Sequence, residues 1–532
     1  MYKNYLTSFV LILLIATVGC AKRGAIGGGL KDTLAPVLIS SFPKNYSKNV
    51  TAKQIKLNFD EYVKLKNVAK QLIVSPPMKS APEISPYTAS REIKIKILDT
   101  LAPNTTYSFN FGNTIEDNNE ENILRQFKYV FSTGNYIDSL KLQAKVIDAF
   151  DLKTPNFVSI MLYEVNEKYT DSTVFKELPR YLTNTLDSLK SVQLENLKPG
   201  KYRLIALKDA NNNNKFDSKT DKIGFIKDFI TLPNDTLYEL ELFKQQPAFK
   251  VVNVAQASGN KIIAGYQGRL QSPKVEITKN KLPLPYVVTK YTDNDSLQIW
   301  FKEAKTDSIK IKITSKDYLK ETYLKLKSQK KDTLSLTPKF VSFLPLRETY
   351  SIKATTPLVF FDSSKMVLLN KDSVAIKFKT EYDDFNQDLK FLFAVEPLQK
   401  YKLKLFPGAV VDFFNKKNDT LVCNFATRNK SDYGNLRVKL ENVKRFPVLI
   451  ELTKQDGTVL YSIVSDNKTE INFDLIEPEK VTLRVIYDDN NNGFWDSGDF
   501  INLRQAEEVI YFPKEIDVRA NWDVEQPFNL KQ

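Results

Sequence analysis

Two short stretches carry the residue types and spacing best suited to chemistry. The first runs Asp209-Ala210-Asn211-Asn212-Asn213-Asn214-Lys215-Phe216-Asp217, with Asp221 beyond it. The second runs Asp488-Asp489-Asn490-Asn491-Asn492-Gly493-Phe494-Trp495-Asp496-Ser497-Gly498-Asp499. Each places side-chain oxygens at positions 1, 3, 5 and 9, the ligand offsets of a calcium loop. Position 7 of such a loop offers its backbone carbonyl, which here belongs to Lys215 and Phe494. The candidate ligands are therefore Asp209, Asn211, Asn213, Lys215, Asp217 and Asp221 in one loop. In the other they are Asp488, Asn490, Asn492, Phe494, Asp496 and Asp499, with Gly493 at position 6. Neither loop has the glutamate that clasps calcium with both oxygens, and asparagines replace carboxylates. The expected affinity is that of an extracellular module, about 10⁻⁴–10⁻³ M, and the expected role is structural. The same residues also read as an Asx-rich hairpin turn, in which side chains bond their own backbone. No other cofactor is expected.

The remaining composition excludes much catalysis. The chain has no histidine, so Ser-His-Asp and Cys-His mechanisms and the usual zinc sites are unavailable. No phosphate-cradling glycine loop occurs, and no enzymatic activity is expected. Acid pairs such as Asp60-Glu61 and Glu116-Asp117 read as solvated turn residues. Trp300, Trp495 and Trp522 could stack on sugars, but Trp495 falls where Phe216 falls in the first loop, which reads as a core plug under each loop. Cys423, in Thr420-Leu421-Val422-Cys423-Asn424-Phe425, reads as a buried small hydrophobe. The net charge of +14 comes from lysines scattered along the whole chain. That is a solvated surface that protects sheet edges, and no nucleic-acid partner is expected.

These loops need elements to hold them, and period-two alternation supplies strands. Glu92-Ile93-Lys94-Ile95-Lys96-Ile97, Ser308-Ile309-Lys310-Ile311-Lys312-Ile313 and Tyr401-Lys402-Leu403-Lys404-Leu405 all alternate as half-buried antiparallel strands do. Short helical possibilities remain at 54–72 and 181–189. The fold class is all-β. An internal repeat divides the chain. Leu197-Lys198-Pro199-Gly200-Lys201-Tyr202 and Ile476-Glu477-Pro478-Glu479-Lys480-Val481 each stand just before a loop aspartate, Asp209 or Asp488. Pro233 and Pro513, then Pro247 and Pro527, follow at nearly matched spacings. A second repeat pairs Tyr107, Asp117 and Phe131-Ser132-Thr133 with Tyr401, Asp412 and Phe425-Ala426-Thr427.

The N-terminus reads as an address. Lys3 is followed by a largely apolar run from Leu6 to Val18, thirteen residues long and too short to span a bilayer, then Thr17-Val18-Gly19-Cys20. This resembles the lipobox of bacterial lipoproteins, with Thr17 where leucine is usual, and implies lipid on Cys20 after removal of residues 1–19. Residues 20–31 form a glycine-rich tether.

Asp32-Thr33-Leu34-Ala35-Pro36, Phe59-Asp60-Glu61-Tyr62-Val63, Asn104-Thr105-Thr106-Tyr107 and Phe131-Ser132-Thr133-Gly134 resemble the bacterial Ig-like domain of S-layer proteins. The Leu-Lys-Pro-Gly-Lys-Tyr segment and its loop resemble transthyretin-like or B-type modules. The whole is similar to Ig-like-domain lipoproteins of the Bacteroidota. The implied plan is tandem β-sandwiches: Ig-like at 32–135, transthyretin-like at 136–247, a middle sandwich at 248–338, a second Ig-like domain at 339–432 and a second transthyretin-like module at 433–532. The Asp-Ser/Thr-apolar triplets around Thr100, Ser139, Thr236, Ser296, Thr333 and Thr420 resemble O-glycan acceptors of exported Bacteroidota proteins. Their other reading is turn chemistry before a strand. The resemblance implies a periplasm-facing outer-membrane lipoprotein that scaffolds or binds a protein partner in the envelope. A surface adhesin or glycan binder stiffened by calcium is the alternative.

Overall fold

The computed structural model describes residues 32–187, 190–270, 272–291, 294–302, 308–316 and 318–531. The leader, Cys20 and the tether lie outside the described residues. The chain separates into two compact units. One holds the residues up to Lys141 with Arg180–Leu186 and Leu194–Pro199; the other holds Leu142–Pro179, Asp187–Gln193 and Gly200–Gln532. Nearly every element in both is a strand, as the alternation requires.

In the first unit one sheet orders Leu38–Phe42, Gln54–Leu65, Ser90–Lys96 and Glu83–Ser85, with Ile115–Asp117 on the far end of Gln54–Leu65. The facing sheet orders Ile73–Ser75, Thr106–Asn110 and Lys128–Ser132. Ile55, Leu57, Phe59, Ile93 and Ile95 point inward from the first, against Tyr107, Phe109, Tyr129 and Phe131 from the second. The helical possibility at 54–72 reduces to a single turn, Val68–Gln71. Ile55, Leu57 and Phe59 alternate, and burial of that face draws Gln54–Leu65 into the sheet. At 181–189 the residues Tyr181–Asn184 are likewise a strand, whose Leu182 N–H donates to Ser75 Oγ.

The second unit contains the middle sandwich, the second Ig-like-patterned sandwich, the last loop-bearing segment and most of the first. The middle sandwich is two four-stranded sheets. In its strand Ser308–Ser315, Ile309, Ile311 and Ile313 are buried while the lysines between them are not. The next sandwich orders Leu336–Pro338, Tyr350–Ala354, Asp388–Leu392 and Lys379–Asp383 against Met366–Leu369, Lys400–Leu405 and Leu421–Ala426. This is the strand order of residues 38–132 again, and small motifs repeat with it. Tyr107 Oη accepts the Ala102 N–H and Thr133 Oγ1 accepts the Thr105 N–H; Tyr401 Oη accepts the Glu396 N–H and Thr427 Oγ1 accepts the Gln399 N–H.

The loop-bearing segments also share one plan. Leu140–Asp148 pairs in parallel with Leu237–Leu242, and Gly434–Glu441 pairs in parallel with Asp523–Asn529. Gly200–Lys208 and Glu479–Tyr487 are the matching central strands, each pairing antiparallel with the strand that follows its loop. Pro199 and Pro478 stand directly before those strands, as the repeat predicts. The later prolines do not correspond. Pro527 lies inside a strand opposite Lys439, while Pro247 lies beyond the last strand of its segment. Pro233 follows the strand Ile230–Leu232, whereas Pro513 precedes Ile516–Val518. Their near-equal spacing is a coincidence of loops of different length.

Candidate functional site

Each Asx loop closes a hairpin between paired strands, and both are built on the same skeleton. The position-1 carboxylate reaches back over the loop. Asp209 accepts the N–H groups of Asn211 and Asn214 at 2.9 and 2.6 Å; Asp488 accepts those of Asn492 and Gly493 at 3.0 and 2.7 Å. The position-7 N–H donates to the position-5 side chain in both, Lys215 to Asn213 and Phe494 to Asn492. Positions 4 and 6 adopt the left-handed backbone, at Asn212 and Asn214 in one loop and at Asn491 and Gly493 in the other. Asparagine and glycine tolerate that region, which explains the sequence bias.

A buried carboxylate locks each loop from below. Asp221 accepts the N–H groups of Ala210 and Asp217 at 3.0 and 2.8 Å. Glu507 accepts those of Asp489 and Asp496 at 2.9 and 2.8 Å, so it does for the second loop what Asp221 does for the first. Burial, with Asp496 and Asp488 nearby, pushes the Glu507 carboxyl above its ordinary value. Sequence spacing assigned that place to Asp499. Instead Asp499 faces outward, accepting from Gln245 and Asn502 side chains and from its own turn. The reason is an insertion. Four positions separate Asp217 from Asp221, but eleven separate Asp496 from Glu507. A spacing rule could not have found Glu507.

The two loops differ in where their side chains gather. In the second, the side-chain amides of Asn490 and Asn492 both reach Asp496 Oδ2. Turning those amides over would bring their oxygens to the same point, so three oxygen-bearing groups converge there. Arg269 occupies the other oxygen of Asp496 at 3.0 Å. In the first loop Asn211 bonds Thr220, Asn213 bonds the Lys215 N–H and Asp217 bonds the Lys219 N–H. Among the described residues no hydrogen bond joins those three side chains to one another, so the convergence at Asp496 is not repeated in the first loop. Among the described residues no three Asp, Glu or Cys side chains gather as a metal set, so a cation at the second loop would depend on the asparagine oxygens.

The inserted residues 497–505 form a tongue that joins the two loop-bearing segments. Phe500 is fully buried among Phe175, Phe216 and Phe225 of the first, with ring centroids 6.2, 6.2 and 5.3 Å away. Ser497 Oγ donates to the Lys244 carbonyl and Gln505 Nε2 to that of Phe225. Trp495 packs on Phe150 at 4.4 Å and its Nε1 donates to the Glu507 carbonyl. It is thus a joint residue, not the plug beneath its own loop; Phe216 does fill that role, buried in its segment's core. Arg484, paired through two nitrogens with Glu451, lies 4.3 Å over Phe150, and Tyr511 Oη donates to the Phe150 carbonyl.

The other candidates are structural. Glu116 and Asp117 are buried, not solvated. Burial raises the Asp117 carboxyl, but four backbone N–H donors from Asn119 to Asn122 outweigh it and hold it below its ordinary value. Trp300 is buried with Nε1 donating to Thr289, leaving no face for a sugar, while Trp522 is exposed beneath Arg519. Cys423 is buried beside Tyr350, and burial pushes its thiol up. Thr100, Ser139, Thr236, Thr333 and Thr420 are exposed. Ser296 is not: it opens the strand Ser296–Phe301 opposite Gly265 and is buried there, so it cannot carry a glycan.

No curated protein matches the chain. Among solved structures, domains 1–6 of the surface-layer protein SbsC align with 91% of this chain and 67% of their own at 11% identity and a TM-score of 0.15. The titin domains Z1Z2 in complex with telethonin align with 35% of this chain and 96% of theirs, at 11% identity and a TM-score of 0.14. Residues 32–133, which make up the first sandwich, match the family of bacterial Ig-like domains.

Proposed function

We propose that this protein is a non-catalytic component of a bacterial cell envelope, held to the outer membrane by lipid on Cys20, facing the periplasm, and acting as a scaffold or binding surface for a protein partner. The observation that carries the reading is the match of residues 32–133 to bacterial Ig-like domains directly after a leader, cysteine and glycine tether. The lack of histidine and the turn-locking roles of the buried acids support a role without catalysis. Ala21-Lys22-Arg23 brings no acidic residue next to the anchor, which supports the inner leaflet. Metabolic labelling should place palmitate on the wild-type chain and none on Cys20→Ser, which should leave the membrane fraction. Unlabelled wild-type protein would sink the reading. Digestion on intact cells would move it to the surface.

A second reading, calcium as a stiffener, is supported by the convergence of Asn490, Asn492 and Asp496. It assigns those residues and Asp488 as ligands and leaves out the first loop and Asp499. Calcium at about 100 times its dissociation constant would add about 2.7 kcal/mol to the folded state. The expected result is a melting temperature that rises with millimolar calcium in the full chain and no longer does so in Asp496→Asn. Equal melting in calcium and in chelator would end this reading. Glycans on the exposed Thr100, Ser139, Thr236, Thr333 and Thr420 belong to the same proposal and are read by intact mass.

A further inference from the structure

The joint between the loop-bearing segments also borders the middle sandwich, and two clefts open there. One, of about 650 Å³, is lined by Phe150, Tyr266, Arg269, Phe494 and Trp495. The other, of about 770 Å³, is lined by Tyr318, Lys316, Asn490, Asn492 and Arg504. Arg269 and Pro247 line both, so the two are halves of one groove.

The groove is unevenly charged. Arg269 is spent on Asp496, and Arg484 on Glu451. Lys316 and Arg504 are exposed on the second half and make no ion pair among the described residues. Two cations thus face the second half, whose one acid, Asp496, is already matched, while Asp295 lines the first half without an ion pair among the described residues. Beside them stand amide side chains and one aromatic surface left open: Phe494 is 61% exposed, with Arg269 4.5 Å over its ring. Open aromatic faces take the apolar face of a sugar ring, amides take hydroxyls, and free cations take carboxylates.

We propose that this groove binds a stretch of acidic polysaccharide, a uronate chain, with its carboxylates on Arg504 and Lys316 and one sugar face on Phe494. The site does not depend on Cys20, so failed palmitate labelling and failed polysaccharide binding are separate failures.

The test is affinity electrophoresis of the full chain in gels carrying polygalacturonate, neutral dextran or polyacrylate. Retardation by polygalacturonate is expected, with at least a tenfold loss in Lys316→Glu/Arg504→Glu. A control, Lys96→Glu/Lys402→Glu, makes the same charge change at two exposed strand lysines that do not line the groove and should keep its binding. Phe494→Ala should weaken binding to polygalacturonate but leave any polyacrylate binding unchanged. Equal loss in the control would mean that the +14 net charge binds any polyanion, and would overturn the site. Equal retardation by dextran, or none by polygalacturonate, would overturn it as well.

Discussion

Glu507 shows how one carboxylate sets the behaviour of a loop. It receives two backbone N–H bonds, which favour its charged form, yet burial and the acids at Asp496 and Asp488 outweigh them. Its folded pKa therefore lies above its ordinary value of 4.5. The folded state binds this proton more tightly than the unfolded chain, so the group favours folding most at low pH. That contribution is lost as pH rises from 4.5 through the raised folded value. Glu241, raised by burial and by Glu239 and Glu508, acts in the same direction. As pH falls from 7 toward 4.5, the melting temperature of the wild type should rise relative to that of Glu507→Gln, because depressed carboxylates such as Asp117 act on both alike. Asp221 serves the same geometry in the first loop and is fully buried. Asp221→Asn turns a donor toward N–H groups that need an acceptor and should cost about 1–3 kcal/mol in denaturant unfolding.

At the scale of elements, the tongue is the feature that separates the two repeats. The first loop returns to its strand in a few residues, while the second reaches out and places Phe500 in a neighbouring core. Gly498 makes the approach possible, because a Cβ there would meet the Phe243 ring in the first segment. Phe500→Ala should cost about 3–5 kcal/mol, the usual loss for emptying an aromatic site. Hydrogen exchange should rise both around 497–505 and in the strand Lys222–Phe225, where Gln505 and Phe500 dock. A rise confined to the tongue would show that it lies on a core already complete without it.

At the scale of the molecule, side-chain and backbone bonds tie the domains of the second unit to one another. Lys290 donates its N–H to the Phe385 carbonyl, Arg347 donates to Asp474, and the tongue links the first loop-bearing segment to the last. Domains joined only by linkers melt independently; domains sharing buried side chains do not. Calorimetry of the full chain should show the two loop-bearing segments melting in one transition, which Phe500→Ala divides in two.

Alternation in segments such as Ser308–Ser315 determined the all-β class by itself, because a face of isoleucines every second residue can be buried only in a sheet. The paired Pro–Asp motifs before Asp209 and Asp488 likewise marked the repeat, since tight hairpins need fixed residues at fixed offsets. The partners of those loops were not legible. Asp499, Trp495 and Ser296 each had a plausible role by spacing, and tertiary packing gave each another. Glu507, Phe500 and Arg269 act across long sequence separations, where local pattern carries no information. Only the folded chain, by setting which buried group meets which, decided that the second loop is a joint between domains.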